Sequence, residues 1–384
     1  MFLQSLHLQN FRNYPQQWVN FTVPKTILVG QNAQGKSNLL EAIELLATLK
    51  SHRTSRDQDL ITTGEENSLI YAQIERNYSK QELQLLLRRS GRRSLKVNQD
   101  IARRQADFLG VINAVEFSCL DLELVRGTPE ARRQWLDTLL LQVEPIYSHI
   151  LSQYQHILKQ RNALLKNYRG KEEFSPSEEL SDSHLDLWDQ QLATMGARII
   201  RRRDRILQRL TPIAQSWHEQ ISGHQEQLSI DYQPNVQWNL NDHRDNEAVQ
   251  QAFLEQLSQR RSAEQQMGTT LVGPHRDDLM FTINETPAKS YASQGQQRTL
   301  VLALKLAELT LLEEIIGEPP LLLLDDVLAE LDLQRQQQLL VTIQERFQTL
   351  ITTTHLQGFA PEWIQQAQIL VVKEGQISRE DLSF

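Results

Sequence analysis

Gly30-Gln31-Asn32-Ala33-Gln34-Gly35-Lys36-Ser37 has the residue types and spacing of a phosphate cradle, G-x-x-x-x-G-K-S. Glycines let backbone N–H groups close on a phosphate where a Cβ would stand in the way. A helix that begins after the loop turns its first N–H groups and positive dipole end toward the same anion. Lys36 can then reach the β- and γ-phosphates, and the Ser37 hydroxyl can ligate Mg2+. Leu321-Leu322-Leu323-Leu324-Asp325-Asp326 reads as a buried strand that delivers Asp325 to that ion through water. Asp326 follows where a carboxylate can polarise an attacking water. Ser293-Gln294-Gly295-Gln296-Gln297-Arg298 opens another helix with a serine and a glycine at its tip, a second anion site by the same physics. Because the chain already has one cradle, a second γ-phosphate site points to two copies that sandwich ATP. Thr352-Thr353-Thr354-His355 closes a further strand, and the His355 imidazole there is suited to bond a γ-phosphate and sense its loss.

The elements that must hold these residues alternate. Leu3–Leu8 is extended in character and runs into a turn over Phe11–Pro15. Thr26–Val29 is a short apolar, β-branched strand. After Ser37 the spacing of Leu39, Leu40, Ile43, Leu46 and Ala47 predicts a helix, with Glu41 and Glu44 off its apolar face. The middle, from Glu130 to Leu210, is helical in pattern and broken by a polar, acidic stretch at Gly170–Ser183, which reads as a mobile loop. A strand-like patch with Pro234 and Trp238 precedes a helix over Ala248–Gln266. Strand and helix then alternate again: strands at Leu279–Ile283, Leu321–Leu324 and Leu350–Thr353, helices at Gly295–Ile316 and Leu333–Phe347. Such an order packs most simply as one parallel sheet whose halves are split by a helical insert. The predicted fold is α/β: a head over 1–125 and 268–384, and a mostly helical inserted domain over 126–267.

Composition restricts the class without choosing the partner. The chain of 384 residues is 40% hydrophobic and 23% charged, long enough for two domains of ordinary globular type. No apolar run near Pro320–Leu324 approaches a membrane span, and the first residues lack the pattern of a signal peptide, so the cytosol is the expected location. The lone cysteine, Cys119, excludes an internal disulfide framework and a cysteine-based zinc site, and it reads as a small buried apolar residue. A net charge of −8 argues mildly against nucleic acid. Arginine clusters at 88–89 with 92–93, 103–104, 132–133 and 201–203 with 205 read first as solvated faces.

Together these residues resemble the ABC-type ATPases, and more narrowly the RecF recombination-repair family. The resemblance rests on Leu8–Tyr14, the P-loop with Asn32 and Asn38, Arg126–Pro129 leading to Arg132–Asp137, Leu271–Asp278 with its GPHRDD core, the SQGQQR signature and Leu324–Val327. It implies a head like that of the SMC proteins without their long coiled coil, bound to ATP and Mg2+. It implies an ATP-driven homodimer that binds DNA at gaps or single-strand/double-strand boundaries, cooperates with RecR in the RecO pathway and helps load RecA. In that register Ser293, Gln294, Gly295 and Gln296 act on ATP held by the opposite subunit. Asp332 sits at the dimer seam and Arg12 near the nucleotide. Two departures stand out. Asp326 replaces the glutamate of many ABC proteins, which suits slow, switch-like hydrolysis, and no Q-loop glutamine is found near Phe117–Leu120. The DNA contacts and the role of GPHRDD stay open. Other readings share the motifs: another SMC-like chromosome ATPase, a transporter ATPase subunit, or a non-hydrolysing ATP scaffold. Lys36 and Ser293 are 257 residues apart, which leaves room for an SMC-like insert.

Overall fold

The computed structural model describes residues 1–77, 79–168, 177–238, 246–327, 336, 339–340, 343, 346–357 and 359–379. The chain opens with β1 (Phe2–Phe11), β2 (Tyr14–Asn20) and β3 (Lys25–Val29), followed by helix α1 (Lys36–Thr48). Next come β4 (Asn67–Arg76), β5 (Ser79–Arg88), β6 (Ser94–Val97), β7 (Asp100–Ile101) and β8 (Ala114–Ser118). The middle holds α2 (Glu123–Arg126), α3 (Pro129–Val143), α4 (Tyr147–Tyr168), α5 (Ser177–Ile221), β9 (Leu228–Gln233) and α6 (Asn246–Met267). The last third holds β10 (Asp278–Ile283), β11 (Thr286–Pro287), α7 (Ala288–Tyr291), α8 (Gln294–Ile316), β12 (Leu321–Asp325), β13 (Thr349–Thr353), β14 (Gln368–Lys373) and β15 (Gln376–Arg379).

The sheet that carries the candidate site has the order β15-β14-β3-β13-β12-β8. Its pairs from β14 to β8 are parallel, and only β15 runs antiparallel at one edge. Leu321 to Leu324 are all completely buried, as a strand covered on both faces requires. A second sheet, antiparallel, has the order β2-β1-β4-β5-β6-β7. A third joins β9 from the middle of the chain to β10 and β11, so the two parts expected at 126–267 and 268–384 share backbone hydrogen bonds. Helix α5 packs on α8, where Trp217 Nε1 donates to Thr310 Oγ1 at 3.2 Å.

Several expectations need amendment. Helix α5 already begins at Ser177, so residues 177–183 are helical rather than loop; 169–176 lie outside the described residues. Most of the helix expected over 333–347 also lies outside the described residues. Glu41, read as lying off the apolar face of α1, is fully buried, because the Arg12 guanidinium reaches across to it with two hydrogen bonds of 2.9 and 2.7 Å. Cys119 is exposed rather than buried. Arg132 and Arg203 are buried ion-pair partners, not members of solvated faces.

The GPHRDD segment is a structural clasp. Arg203 of α5 donates to both oxygens of Asp137 on α3, at 3.0 and 3.1 Å, and to Asp277 Oδ2 at 3.0 Å. It also donates to the Pro274 carbonyl at 2.7 Å. Burial works against the guanidinium charge, and Asp137, Tyr147 and Asp277 more than offset it. Tyr232 and the Asn235 N–H complete the shell of Asp277, and Arg132 pairs with Asp278. A buried carboxylate with this many donors holds four segments together. Among the described residues no helix is long and apolar enough to cross a membrane.

Candidate nucleotide site

Strands β3, β13 and β12 are neighbours, and this adjacency gathers the site. Each strand ends at the same edge, in the register Leu28–Thr352–Asp325. From β3 the chain enters the P-loop at Gly30, and a Cβ there would lie 2.3 Å from the Val372 carbonyl oxygen of β14. Only glycine tolerates that approach. Lys36 is nearly buried, its ammonium donating to the carbonyls of Gly30 at 2.8 Å and Gln31 at 3.1 Å. The ammonium is thus held inside the loop that would receive phosphate.

Ser37 Oγ donates to Asp325 Oδ1 at 2.8 Å across 288 residues of sequence. Thr352 Oγ1 donates to the same oxygen at 2.7 Å and accepts from the Asp326 N–H at 2.9 Å. Ser37 Oγ and Asp325 Oδ1 meet here as the hard oxygen donors that would hold Mg2+, directly or through water. Asp326 turns the chain with φ +53°, a left-handed conformation that aspartate adopts more readily than most residues. Burial pushes its carboxyl above the ordinary value, the neighbouring Asp325 charge adds to this, and Lys36 opposes it.

The P-loop is also braced from the Leu8–Tyr14 stretch on which the resemblance rests, and by Arg53, Glu374 and Gly375, which sequence reasoning did not single out. Asn13 Nδ2 donates to the Gln34 carbonyl at 2.9 Å, and Asn13 Oδ1 accepts from Asn38 Nδ2 at 2.8 Å. Tyr14 OH donates to the Gly35 carbonyl at 2.9 Å. From the far end of the chain, the Gly375 N–H reaches the Gln34 carbonyl at 3.0 Å and the Glu374 N–H reaches Gln34 Oε1 at 2.7 Å. Arg53 donates to Asn38 Oδ1 at 2.6 Å, which places a half-exposed cation beside the loop. Arg12 also stands here, but its guanidinium is engaged by Glu41 and the Asp59 carbonyl. The available signal was the Phe11-Arg12-Asn13-Tyr14 stretch, which reads as a turn until its partners are known.

Gln31, Asn32 and Ala33 are exposed, Gln34 is half-buried, and Ala33 has φ +65°. At the head of α8, Ser293 is exposed and caps its helix: its Oγ accepts from the Gln296 N–H at 3.2 Å while Gln296 Oε1 accepts from the Ser293 N–H at 2.8 Å. Accepting that bond leaves the hydroxyl hydrogen available to another acceptor. Gln294 is exposed and Gly295 half-buried beside it. Gln296 also donates to Glu226, and Gln297 links Arg126 to the Ala288 carbonyl, so this tip is built from elements other than those around the P-loop. His355 is exposed just beyond β13, with its backbone N–H and carbonyl both bonded to Thr353 Oγ1. Asp332 lies outside the described residues. At the sought Q-loop, Ser118 ends β8 opposite Asp325 in register.

Comparison with known proteins shows what the whole chain resembles. The RecF/RecN/SMC N terminal domain family model matches residues 2–378. The DNA replication and repair protein RecF of Synechocystis sp. is 64% identical over 378 residues, covering 98% of each chain. That of Gloeothece citriformis is 63% identical over 384 residues, covering 98% of this chain and 99% of its own. The solved structure of the recombination mediator protein RecF with ATPrS, in the RecFOR pathway, superposes with a TM-score of 0.89 at 31% identity, covering 98% of both chains. The Smc head domain of Pyrococcus furiosus shares the fold alone, at 14% identity and a TM-score of 0.53, covering 99% of this chain and 96% of its own.

Proposed function

The chain belongs to the RecF family, and from that premise we propose that it is an ATP-driven, DNA-binding homodimer of recombinational repair. Its substrate is ATP, and its target is gapped DNA or a single-strand/double-strand junction. There it assists RecR, with RecO, in loading RecA, and it works in the cytoplasm. The observation that carries this reading is the convergence of Lys36, Ser37, Thr352 and Asp325 at one sheet edge beneath a glycine cradle. Residues 1–125 with 268–384 form the ATPase head in this reading, and 126–267 form the arm.

In this reading, Lys36 exchanges its carbonyl partners for phosphate oxygens when ATP enters. Ser37 and Asp325 hold Mg2+, which when bound offsets the negative charge on the phosphate oxygens. Thr352 fixes the carboxylate of Asp325 and the backbone of Asp326 together, which holds the Asp326 side chain for its work as base. The Ser293 tip of one copy closes on the nucleotide of the other, and His355 senses the γ-phosphate. A base with one methylene fewer than glutamate, held by strained backbone, suits slow turnover and a switch rather than a motor.

Two variants test the scheme by sedimentation with and without ATP. Lys36→Ala should lose ATP binding and stay monomeric. Asp326→Asn should bind ATP normally and accumulate as a dimer. A wild-type monomer at every ATP concentration would exclude the sandwich. For DNA, the slope of log affinity against log salt counts the phosphates engaged. ATP-saturated protein with no measurable affinity for gapped duplex at low salt would exclude the repair role.

A further inference from the structure

We propose that Glu44, His52 and Glu116 form a site for one divalent first-row cation of the Mn2+ type, separate from the nucleotide site. Glu44 lies about two turns beyond Ser37 on α1, His52 lies in the segment after that helix, and Glu116 lies on β8. His52 Nδ1 is 2.7 Å from Glu44 Oε2 and 2.9 Å from Glu116 Oε2. The three ligand atoms, one per residue, all fall within 4.8 Å of one another.

A second observation points to a missing cation. The Glu116 side chain is only 9% exposed, and its Oε1 is buried with no hydrogen-bond partner. A buried carboxylate oxygen without a donor costs on the order of 1–3 kcal/mol or more, and a cation in the cluster would satisfy it. The nearest ammonium does not: Lys305 is held by Asp121 at 2.9 Å and faces Glu308. Two carboxylates thus converge on one ring nitrogen in a largely dry setting, and a divalent ion binds there by displacing the proton that they hold on His52.

The donor set selects the kind of ion. One nitrogen with two carboxylate oxygens suits Mn2+, with waters in the remaining positions. His52 at 19% and Glu44 at 13% exposure leave a way in for the ion and those waters. Once bound, the ion would tie the P-loop helix to the strand beside β12.

The test is a Mn2+ titration of nucleotide-free full-length protein, read by electron paramagnetic resonance. One Mn2+ per chain should bind with nitrogen hyperfine coupling from a directly ligated imidazole. The coupling should vanish in His52→Asn, and affinity should fall at least tenfold in Glu116→Gln. Asp325→Asn should leave this signal in place, because the nucleotide site does not supply the nitrogen. No bound Mn2+ at millimolar concentration, bound Mn2+ without nitrogen coupling, or coupling that survives in His52→Asn would each overturn the site. His52 would then be an imidazolium paired with two carboxylates and nothing more. The first two outcomes are read on wild-type protein, so a variant that fails to fold cannot mask them.

Discussion

On the proposed reading, Asp326 is the general base of this chain. Burial and the adjacent Asp325 raise its carboxyl above the ordinary 3.8, with Lys36 opposing. A general base must be ionised to work. Hydrolysis should therefore fall on the acid side as pH drops through that raised value, so the kcat–pH profile should show an acid limb above the ordinary carboxylate value. An acid limb at or below the ordinary carboxylate value would remove Asp326 as the base. His52 shows how partners override burial: desolvation alone would lower its imidazole, yet hydrogen bonds and charge from Glu116 and Glu44 push it up to about 11.

At the scale of elements, the nucleotide loop depends on segments remote in sequence. Gly375, in the turn between β14 and β15, has φ +72°, and a Cβ there would lie 2.0 Å from the Asn13 carbonyl oxygen. That obstacle is backbone and cannot rotate away. Gly375→Ala should therefore cost about 1–3 kcal/mol of stability, measured by urea unfolding, and should weaken ATP binding because Asn13 and Gly375 both hold the Gln34 carbonyl. An unchanged midpoint and affinity would mean that the turn yields freely. The GPHRDD clasp carries its own titration. Burial pushes His275 down to about 4, helped by Arg276, Arg133 and Arg161 and opposed by the Thr270 carbonyl. Its ring is neutral in the fold and accepts from Tyr154 OH at 2.6 Å. The unfolded imidazole binds a proton near 6.5, so this contribution is intact above that pH. It is lost as pH falls from 6.5 toward 4, by about 3 kcal/mol at most. His275→Asn should show a smaller acid-side loss between those values; an identical pH dependence would show that the ring does not titrate as described.

At the scale of the whole molecule, the proposed function rests on joining two copies. Ser293 stands exposed on a capped helix tip, and its hydroxyl hydrogen is not needed by its own helix. Ser293→Arg should leave ATP binding within about twofold, because the cradle of the same chain is untouched, and should prevent ATP-dependent dimer formation. Calorimetry and sedimentation on the same sample separate the two effects. A dimer that forms normally with this variant would move the seam elsewhere.

The P-loop, β12 with its two aspartates and the α8 tip were legible from sequence because each is encoded within a few consecutive residues. There, glycine positions, apolar runs and capping side chains dictate the backbone directly. Ser37 and Asp325 were expected at one ion, whereas the part of Thr352 in joining them was not legible, since it follows from β13 pairing between β3 and β12. Periodicity misled at Glu41, and the clustering of arginines misled at Arg203; both were assigned to polar faces. Periodicity describes one element at a time, and a charge may be buried when another segment supplies its counter-charge: Arg12 for Glu41, Asp137 and Asp277 for Arg203. Local geometry was thus written in the sequence, while the tertiary structure decided which distant groups meet, because desolvating a charge is affordable only where a partner arrives with it.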